Sequence, residues 1–570
     1  MTWLRQRGAG RGDLVGLAVA PDGTTAVAAA GGDGRMTSLG EVAMADDEIR
    51  PRWVTWSQET AQWLVAGGAR VATCWDVAAV HRLVFGGWRA DPGWAWAHLH
   101  GLAPDGVPTE APEAGPPDLF SEPDEARAGA DDDPVGADGY LRAGWARGGW
   151  AAAPARILRW AQLALETAEL QRAALGRLSE TPIPVATARS ESTAELLCAE
   201  LSSDGLPLDL AAAERVLTGI IGPRPRDEVH AAAMRAARDA EVLRHAPGGM
   251  TVDLRSPVQV RSLLAAAGID VPDTRAWRLE QFRESSPLIA ALLEWRKAER
   301  IATTYGYAWL DEHLDGDGRL RGSWTGSDGA AGRMTASSGL HNMPAAMRQA
   351  VIAAPGHALV RADLGQIEPR VLAAVTGDPA LAAATAADDL YLPVASQLGV
   401  DRPTAKVAMI SAMYGQTTGH GGQALRRMRA AYPVAMAYLD TADRSARARR
   451  ELRTYGGRRI PMSGGPGDSP AQVAARGRYG RNALIQGAAA ELFKMWAVTV
   501  RARGLPLGAR IVLCLHDELL VHGPAGQAEA MARLVGECLT ETARRWSPDG
   551  RVRFTADISI VRSWADAKLE

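Results

Sequence analysis

The sequence predicts a multidomain chain of mixed α/β and α+β class, and three observations carry that expectation. A length of 570 residues exceeds one typical domain, so two or more units with their own cores are expected. From Met1 to about Ala103, short apolar runs such as Leu14–Ala20 and Thr24–Ala30 alternate with Gly-rich turns, the pattern of a small α/β unit. Farther along, β-compatible runs before Asp363 and on both sides of Asp517 are interspersed with helical stretches.

In the first unit, Trp53, Trp56, Trp63, Trp75, Trp88, Trp94 and Trp96 read as core residues rather than base-stacking groups, because each can bury a large area. Residues 104–139, rich in Pro, Gly, Asp and Glu, read as a flexible acidic connector or long surface loop and mark a domain boundary. Residues 151–180 follow as a helix with Ile157, Leu158, Ala161, Leu165 and Leu170 on an apolar stripe. The expected division is therefore 1–150 and 151–570. A net charge of -3 does not exclude a nucleic-acid partner, which requires only local basic surface. Arginines crowd the region from Arg426 to Arg481, where Arg478 and Arg481 stand out as candidates for backbone contacts and several others read as a salt-bridged, solvated face. Cys74, Cys198, Cys514 and Cys538 lack the close pairs of a zinc or redox motif, so they read as packing residues in a reducing cytoplasm. No apolar run approaches transmembrane length, and a soluble chain without membrane association is expected.

The chemistry concentrates in three stretches. His357-Ala358-Leu359-Val360 is short, apolar and β-compatible, while Ile367, Val371, Leu372 and Val375 recur at helical spacing until Gly377, so Asp363 sits where a strand gives way to a helix. Asp401 to Gly415 reads as a helix capped by Asp401, with Pro403 tolerated in its first turn. Arg402, Lys406, Ile410 and Tyr414 recur every four residues along one side of it, presenting two cations and an aromatic ring. Cations of this kind neutralise a triphosphate, and a tyrosine stacks on a base. In Ile511 to His522, two apolar runs flank His516-Asp517-Glu518, which predicts a β-hairpin with Asp517 at its tip and Glu518 opening the return strand. Mg²⁺ takes oxygen ligands and is often held by one or two protein carboxylates plus substrate phosphates, so paired carboxylates beside a basic helix suit phosphoryl transfer.

In order and spacing, these stretches resemble motifs A, B and C of family A DNA polymerases, the DNA polymerase I class. The resemblance extends to Gly332-Arg333-Met334-Thr335, to Leu340-His341-Asn342-Met343-Pro344, and to Arg478, Asn482 and Gln486-Gly487, covering roughly Glu191 to the carboxyl terminus. It implies a right-hand polymerase, with a palm carrying an antiparallel sheet at about 301–375 and 496–570, mainly helical fingers at about 376–495 and a helical thumb at about 195–300. Ser202-Ser203-Asp204-Gly205 through Asp209 resembles the segment leading into the thumb, where Arg296, Lys297 and Arg300 would meet phosphates. Ahead of the polymerase, the resemblance implies a 3′-5′ exonuclease-like domain. Its Asp-x-Glu strand is missing from Gly16-Leu17-Ala18-Val19-Ala20, and only Cys74-Trp75-Asp76-Val77 resembles the second exonuclease motif, so the domain reads as vestigial.

By the same resemblance, the catalytic set is Asp363, Asp517, Glu518 and Lys406. Asp363, Asp517 and the Leu364 carbonyl would hold two Mg²⁺ ions, for which Mn²⁺ would substitute. The deoxynucleoside triphosphate would meet Gln366, Ile367, Glu368, Arg402, Lys406, Ile410 and Tyr414, with Glu368 excluding a ribose 2′-hydroxyl and Tyr414 under the base pair. Primer-template DNA would meet Arg333, Asn342, Arg478, Asn482, Gln486 and His516. The implied protein is a nucleoid-associated monomer without proofreading. Three departures bear on nucleotide affinity, sugar discrimination and processivity: Ile410 stands for an aromatic residue, Leu364-Gly365 for Tyr-Ser, and His341 for a glutamine. A single-subunit RNA polymerase shares the Arg402-x3-Lys406-x7-Tyr414-Gly415 helix and both aspartates, but Gln366-Ile367-Glu368 argues against it. A non-catalytic DNA-binding repair factor is a further alternative, against which both carboxylates argue.

Overall fold

Helix 154–176 passes over the first strand so closely that a Cβ on Gly16 would stand 2.2 Å from the carbonyl oxygen of Ala161. This contact belongs to a computed structural model that describes residues 2–109, 133–146, 154–178, 181–415, 421–465 and 467–568. The described chain forms two compact units. One comprises Met1–Gly205, Ser323–Ser337 and Pro355–Val561, and the other Leu206–Gly322, Ser338–Ala354 and Arg562–Glu570.

The first unit begins with the expected α/β region. Strands β1 (Leu14–Val19), β2 (Thr25–Ala28), β3 (Gly34–Thr37), β4 (Arg52–Thr55) and β5 (Cys74–Asp76) form a sheet of order β3-β2-β1-β4-β5. The hairpin strands pair antiparallel, while β1, β4 and β5 run parallel, as their intervening helices Leu39–Ile49 and Gln58–Ala66 require. Trp53, Trp56, Trp75 and Trp96 are buried, and Trp63 and Trp94 pack against the core. Trp88 departs from the expectation at 86% exposed, because the chain turns outward at Gly86 and Gly87, both at positive φ.

Most of the expected acidic connector, residues 110–132, lies outside the described residues. Its last part is not a free linker. Val135 bridges Leu141, the Tyr140 hydroxyl donates to Ala103 O at 3.0 Å, and Leu141 and Trp145 are buried. Helix α1 (Pro154–Gly176) then buries Ile157, Ala161, Leu165 and Ala168 against the sheet. Leu170 stands at the edge, 36% exposed, since two residues past Ala168 the helix has turned about 200°. Helix α2 (Pro184–Asp204) follows, largely buried.

Beyond a hairpin of β6 (Trp324–Asp328) and β7 (Arg333–Ala336), the same unit holds a four-stranded antiparallel sheet. Its strands are β8 (His357–Leu364), β9 (Arg510–Cys514), β10 (Glu518–Pro524) and β11 (Ala556–Val561), in order β9-β10-β8-β11. Helix α3 (Ile367–Thr376) starts three residues after β8 and ends at Gly377, which is left-handed. Helices α4 (Arg402–Tyr414) and α5 (Pro433–Arg447) pack around a core that includes Met409, Met413, Met436 and Leu439. The 35-residue α6 (Pro470–Gly504) opens with a Ser469/Gln472 capping box, and α7 (Ala528–Trp546) packs along its later turns, where Trp496 Nε1 donates to Val535 O at 3.1 Å.

The second unit is helical. Asp209, Asp227, Ser256 and Ser286 cap helices Leu210–Ile221, Glu228–Leu243, Pro257–Ala266 and Pro287–Thr304, which enclose Val242, Leu263, Leu264, Ile289 and Leu292. Arg255 fastens it by ion pairs to Asp239 and Glu299, each at 2.8 Å.

Candidate active site

Antiparallel register assembles the centre of the site. Asp363 on β8 lies opposite Glu518 on β10 and opposite Asp557 on β11, and directly paired residues present their side chains on one face of a sheet. Three carboxylates therefore form a row across three strands. Two residues earlier on β8, hence on the same face, is Arg361, buried at 3% exposure. Its guanidinium donates to Asp363 Oδ2 at 2.5 Å, Glu518 Oε1 at 2.7 Å and Asp557 Oδ2 at 3.3 Å. Burial opposes this charge, but the three carboxylates outweigh it and hold the arginine above its usual pKa.

Asp517 occupies the hairpin tip as expected, with β9 ending at Cys514 and β10 starting at Glu518. Its carbonyl accepts from Leu364 N at 2.8 Å, which fixes the tip beside the end of β8. The surrounding protein raises the pKa of its carboxyl, the neighbouring Glu518 adds to this, and Arg333 and Arg361 offset part of it. Glu518, expected among the catalytic groups, is buried and its carboxylate pairs with Arg361 at 2.7 Å, while Asp363, on the same guanidinium, stays partly exposed. Set against Asp363, Glu518, Asp557, Asp517 and Glu368, Arg361 and Arg333 leave a net negative cluster, an environment that attracts hard cations. Among the described residues, no group of three or more His, Cys, Asp or Glu side chains is gathered as a ready-made metal cage. A site that relies on one or two carboxylates and on substrate oxygens needs none.

Glu368, the second residue of α3, is largely buried and accepts from Arg333 Nη2 at 2.9 Å. Burial raises its pKa, Arg333 counteracts this, and the charge of Asp517 adds to it, so the three side chains share one electrostatic neighbourhood. Gln366 has left-handed backbone at φ 49°. Its amide donates to Asp389 Oδ1 at 3.3 Å and accepts from Leu390 N at 2.9 Å. The other Asp389 oxygen receives Arg402 Nε at 2.5 Å. Ile367 is buried, as is the Leu364 side chain.

On α4, Arg402 and Lys406 are exposed while Ile410 and Tyr414 are half-buried, so the basic face is real and its far end is packed. Lys406 makes no hydrogen bond or ion pair among the described residues. Tyr414 accepts at its hydroxyl from Gln486 Nε2 at 2.9 Å, which joins α4 to α6. Arg478, Asn482 and Gln486 recur every four residues on α6, Arg478 being exposed and Asn482 Oδ1 buried without a partner among the described residues. His516 is exposed beside Asp517. Asn342 belongs to the second unit, where its carbonyl accepts from Arg300 at 3.1 Å and its amide contacts His341 Nε2 at 2.8 Å.

Arg481 is a correction. It is 5% exposed and donates to Ala412 O at 2.6 Å and Asp440 Oδ1 at 3.1 Å, because this face of α6 is covered by α4 and α5. In the second unit, Arg296 donates to Thr274 O and Lys297 pairs with Glu294 at 3.0 Å, so both already have partners within that unit. Sequence reasoning missed Arg361, Asp389 and Arg370. Arg370, fully buried, donates to the carbonyls of Gly365, Thr385, Ala387, Asp388 and Arg553 at 2.6 to 2.9 Å. A charged residue within an otherwise apolar helical stripe was the available signal.

Two buried carboxylates of the amino-terminal α/β region are engaged with local partners. Asp76 is buried at the end of β5, where its Oδ1 caps the following helix through Ala79 N at 2.8 Å. Asp46 is buried and accepts from Trp53 Nε1 at 2.9 Å and Ala72 N at 2.8 Å.

Comparison with known proteins gives this arrangement its relatives. Residues 228–566 match the sequence family described as DNA polymerase family A. DNA polymerase I of Chloroflexus aurantiacus is 32% identical over 316 residues, which is 50% of this chain and 33% of that protein. The thermostable DNA polymerase I of Thermus aquaticus is 29% identical over 325 residues, 52% of this chain and 38% of that protein. The chain thus spans about a third of the length of these curated relatives. Among solved structures, the POL domain of Pol1 from M. smegmatis, in complex with DNA primer-template and dNTP, superposes with a TM-score of 0.70 at 22% identity, covering 99% of this chain and 98% of that one. The shared fold accounts for the sheet, and the family match runs through the strand-end aspartate, the basic helix and the hairpin carboxylates described above: the chain belongs to DNA polymerase family A.

Proposed function

We propose that the protein is a DNA-directed DNA polymerase, adding deoxynucleotides to a primer 3′-hydroxyl. The observation that carries this reading is the juxtaposition of Asp363 and Asp517 at adjoining strand ends, joined by the Leu364 to Asp517 backbone bond. Family membership and the relatives named as DNA polymerase I support it. Asp363, Asp517 and the Leu364 carbonyl are the groups that would hold Mg²⁺, or Mn²⁺ in its place. Bound there, two such ions supply a lowered pKa for the attacking hydroxyl and neutralisation of the leaving pyrophosphate.

The chain's own residues account for the remaining work. Lys406, with no partner of its own among the described residues, is available for the triphosphate, whereas Arg402 must leave or share Asp389 to join it. Glu368, held against Arg333, fills space beside the nucleotide sugar and excludes a 2′-hydroxyl. Gln486 braces Tyr414 for a position beneath the incoming base. Arg333, Asn342, Arg478, Asn482, Gln486 and His516 are the residues assigned to primer-template DNA. Residues at about 195–300 serve as the thumb, about 376–495 as the fingers, and about 301–375 with 496–570 as the palm, while the amino-terminal sheet is an exonuclease-like body without nuclease activity. All groups for one round of synthesis reside on one chain, which supports a monomer acting on the nucleoid in the cytoplasm. Among the described residues, no helix is long and apolar enough to cross a membrane.

Primer extension tests this directly. With dNTPs on a DNA template, the protein should extend a primer, and Asp363→Ala or Asp517→Ala should lower the rate by roughly 10²- to 10³-fold or more while primer-template binding stays within a few fold. Extension by either variant at the parent rate would remove the assignment. Preference for NTPs would favour the RNA polymerase alternative.

A further inference from the structure

Far along α6 from Gln486, two cavities of about 500 Å³ and 470 Å³ share Arg11, Arg52 and Arg189 in their walls. Arg172 lines the second. Arg11, Arg172 and Arg189 are exposed, and their side chains have no hydrogen bond or ion pair among the described residues. Arg52 has only the Cys74 carbonyl, at 3.0 Å from Nη1, and its Nε is buried without a partner. Two carboxylates reach these walls. Asp13 accepts from Gly10 N at 2.8 Å, and Glu541 is engaged by Arg545 and, at 3.4 Å, by Arg503.

Elsewhere an arginine in a comparable setting is neutralised by carboxylates, as Arg255 is by Asp239 and Glu299. Like charges in a partly enclosed space repel one another, and Arg52 records the cost: burial first, then the charge of Arg189, lowers its pKa to about 10. A bound anion relieves that repulsion. Guanidinium forks match phosphate oxygens in pairs, and closely spaced arginines suit closely spaced phosphates. The larger cavity also carries an apolar strip of Met495, Val498 and Ala502 on α6, and its size suits a small ligand.

We propose that this cleft is a second nucleotide site, taking a nucleoside diphosphate or triphosphate with its phosphates on Arg11, Arg52 and Arg189 and its base along Met495 and Val498. It is separate in sequence and composition from the site at Asp363, and it does not require a metal.

Calorimetric titration of the full chain with ADP, in EDTA so that a metal-dependent site contributes little, tests the proposal. Adenosine serves as the ligand without phosphates. Saturable ADP binding is expected, absent for adenosine, weakened roughly tenfold or more in an Arg11→Gln, Arg189→Gln variant and unchanged in Lys406→Ala. Both altered arginines are exposed, and circular dichroism verifies that the variant keeps its fold. The proposal fails if millimolar ADP does not bind, or if binding survives in the double variant and disappears in Lys406→Ala. It also fails if a short single-stranded oligonucleotide, but not ADP, binds in a manner that depends on Arg11 and Arg189, since the cleft would then be a strand contact.

Discussion

Arg361 governs how much negative charge the row of carboxylates can hold. Removing a buried partner from an ion pair costs more than the pair contributes, because the remaining charge is stranded. Arg361→Ala is therefore expected to destabilise the fold by roughly 3 to 5 kcal/mol in urea denaturation, and Arg361→Ala with Glu518→Ala by less than the sum of the two single changes. Additive losses would mean that the guanidinium does not bridge this row. The sugar selection proposed for Glu368 gives a second test at this scale. Glu368→Ala should relax discrimination against ribonucleotides, whereas Ile410→Phe should tighten dNTP binding by about 1 kcal/mol or more, the scale of aromatic stacking on a base. Rapid-quench incorporation kinetics separate these effects. Asp363 and Asp517 were legible in the sequence because each stands at a change of local pattern. Arg361 was not, since a lone cation inside an apolar strand acquires meaning only when register shows three carboxylates beside it.

The elements that carry the site were the most legible part of the chain. β8 and α3, the hairpin of β9 and β10, and α4 with its Asp401 cap all follow from apolar periodicity interrupted by turn and cap residues. What periodicity could not convey was how separate segments are tied together. Arg370 does this for three of them, offering its guanidinium to carbonyls after β8, in residues 385–388 and at Arg553, and burial there lowers its pKa to about 10. No neutral side chain supplies so many donors. Arg370→Met should cost about 3 kcal/mol or more, and because Asp389 anchors Gln366 and Arg402 beside this knot, the variant should also weaken dNTP binding. Chemical denaturation and nucleotide titration measure the two losses. Unchanged nucleotide affinity in the folded variant would show that the knot does not position the basic helix. Arg481 illustrates the opposite limit: the sequence displays a cation, and only packing shows that α4 and α5 have enclosed it.

Across the whole molecule, α6 gathers buried charge from distant parts of the chain. Lys494 is paired with Glu191 at 2.5 Å and donates to the carbonyls of Gly326 and Gly332, while Arg458 contacts the same glutamate. Glu491, one turn earlier, accepts from Thr454 Oγ1 and from Gly456 N at 2.9 Å, and burial pushes its pKa up to about 7. A carboxyl that holds its proton more tightly when folded makes the folded state less stable as pH rises, here between about 4.5 and about 7. Glu491→Gln, which keeps the shape without the titration, should flatten that decline, worth on the order of 3 kcal/mol. Urea midpoints at pH 5 and pH 8 check it, and an equal decline in parent and variant would exclude Glu491 as the source. Labelled single-stranded DNA should also remain intact with Mg²⁺ or Mn²⁺, and shortening that persists in an Asp363→Ala, Asp517→Ala double variant would reveal a nuclease centre.

One further ion pair on α6 bears on how such a chain can change over generations. Arg501, buried, grips Glu200 by two bonds of 2.7 Å and donates to the carbonyls of Val71 and Ala72, just ahead of β5. Half of the four bonds of Arg501 thus come from residues just ahead of β5 and half from Glu200 on α2, so loss of the amino-terminal region would take away two backbone acceptors and leave the carboxylate in place. Deletions there over generations would therefore carry a cost in the solvation of a guanidinium on α6.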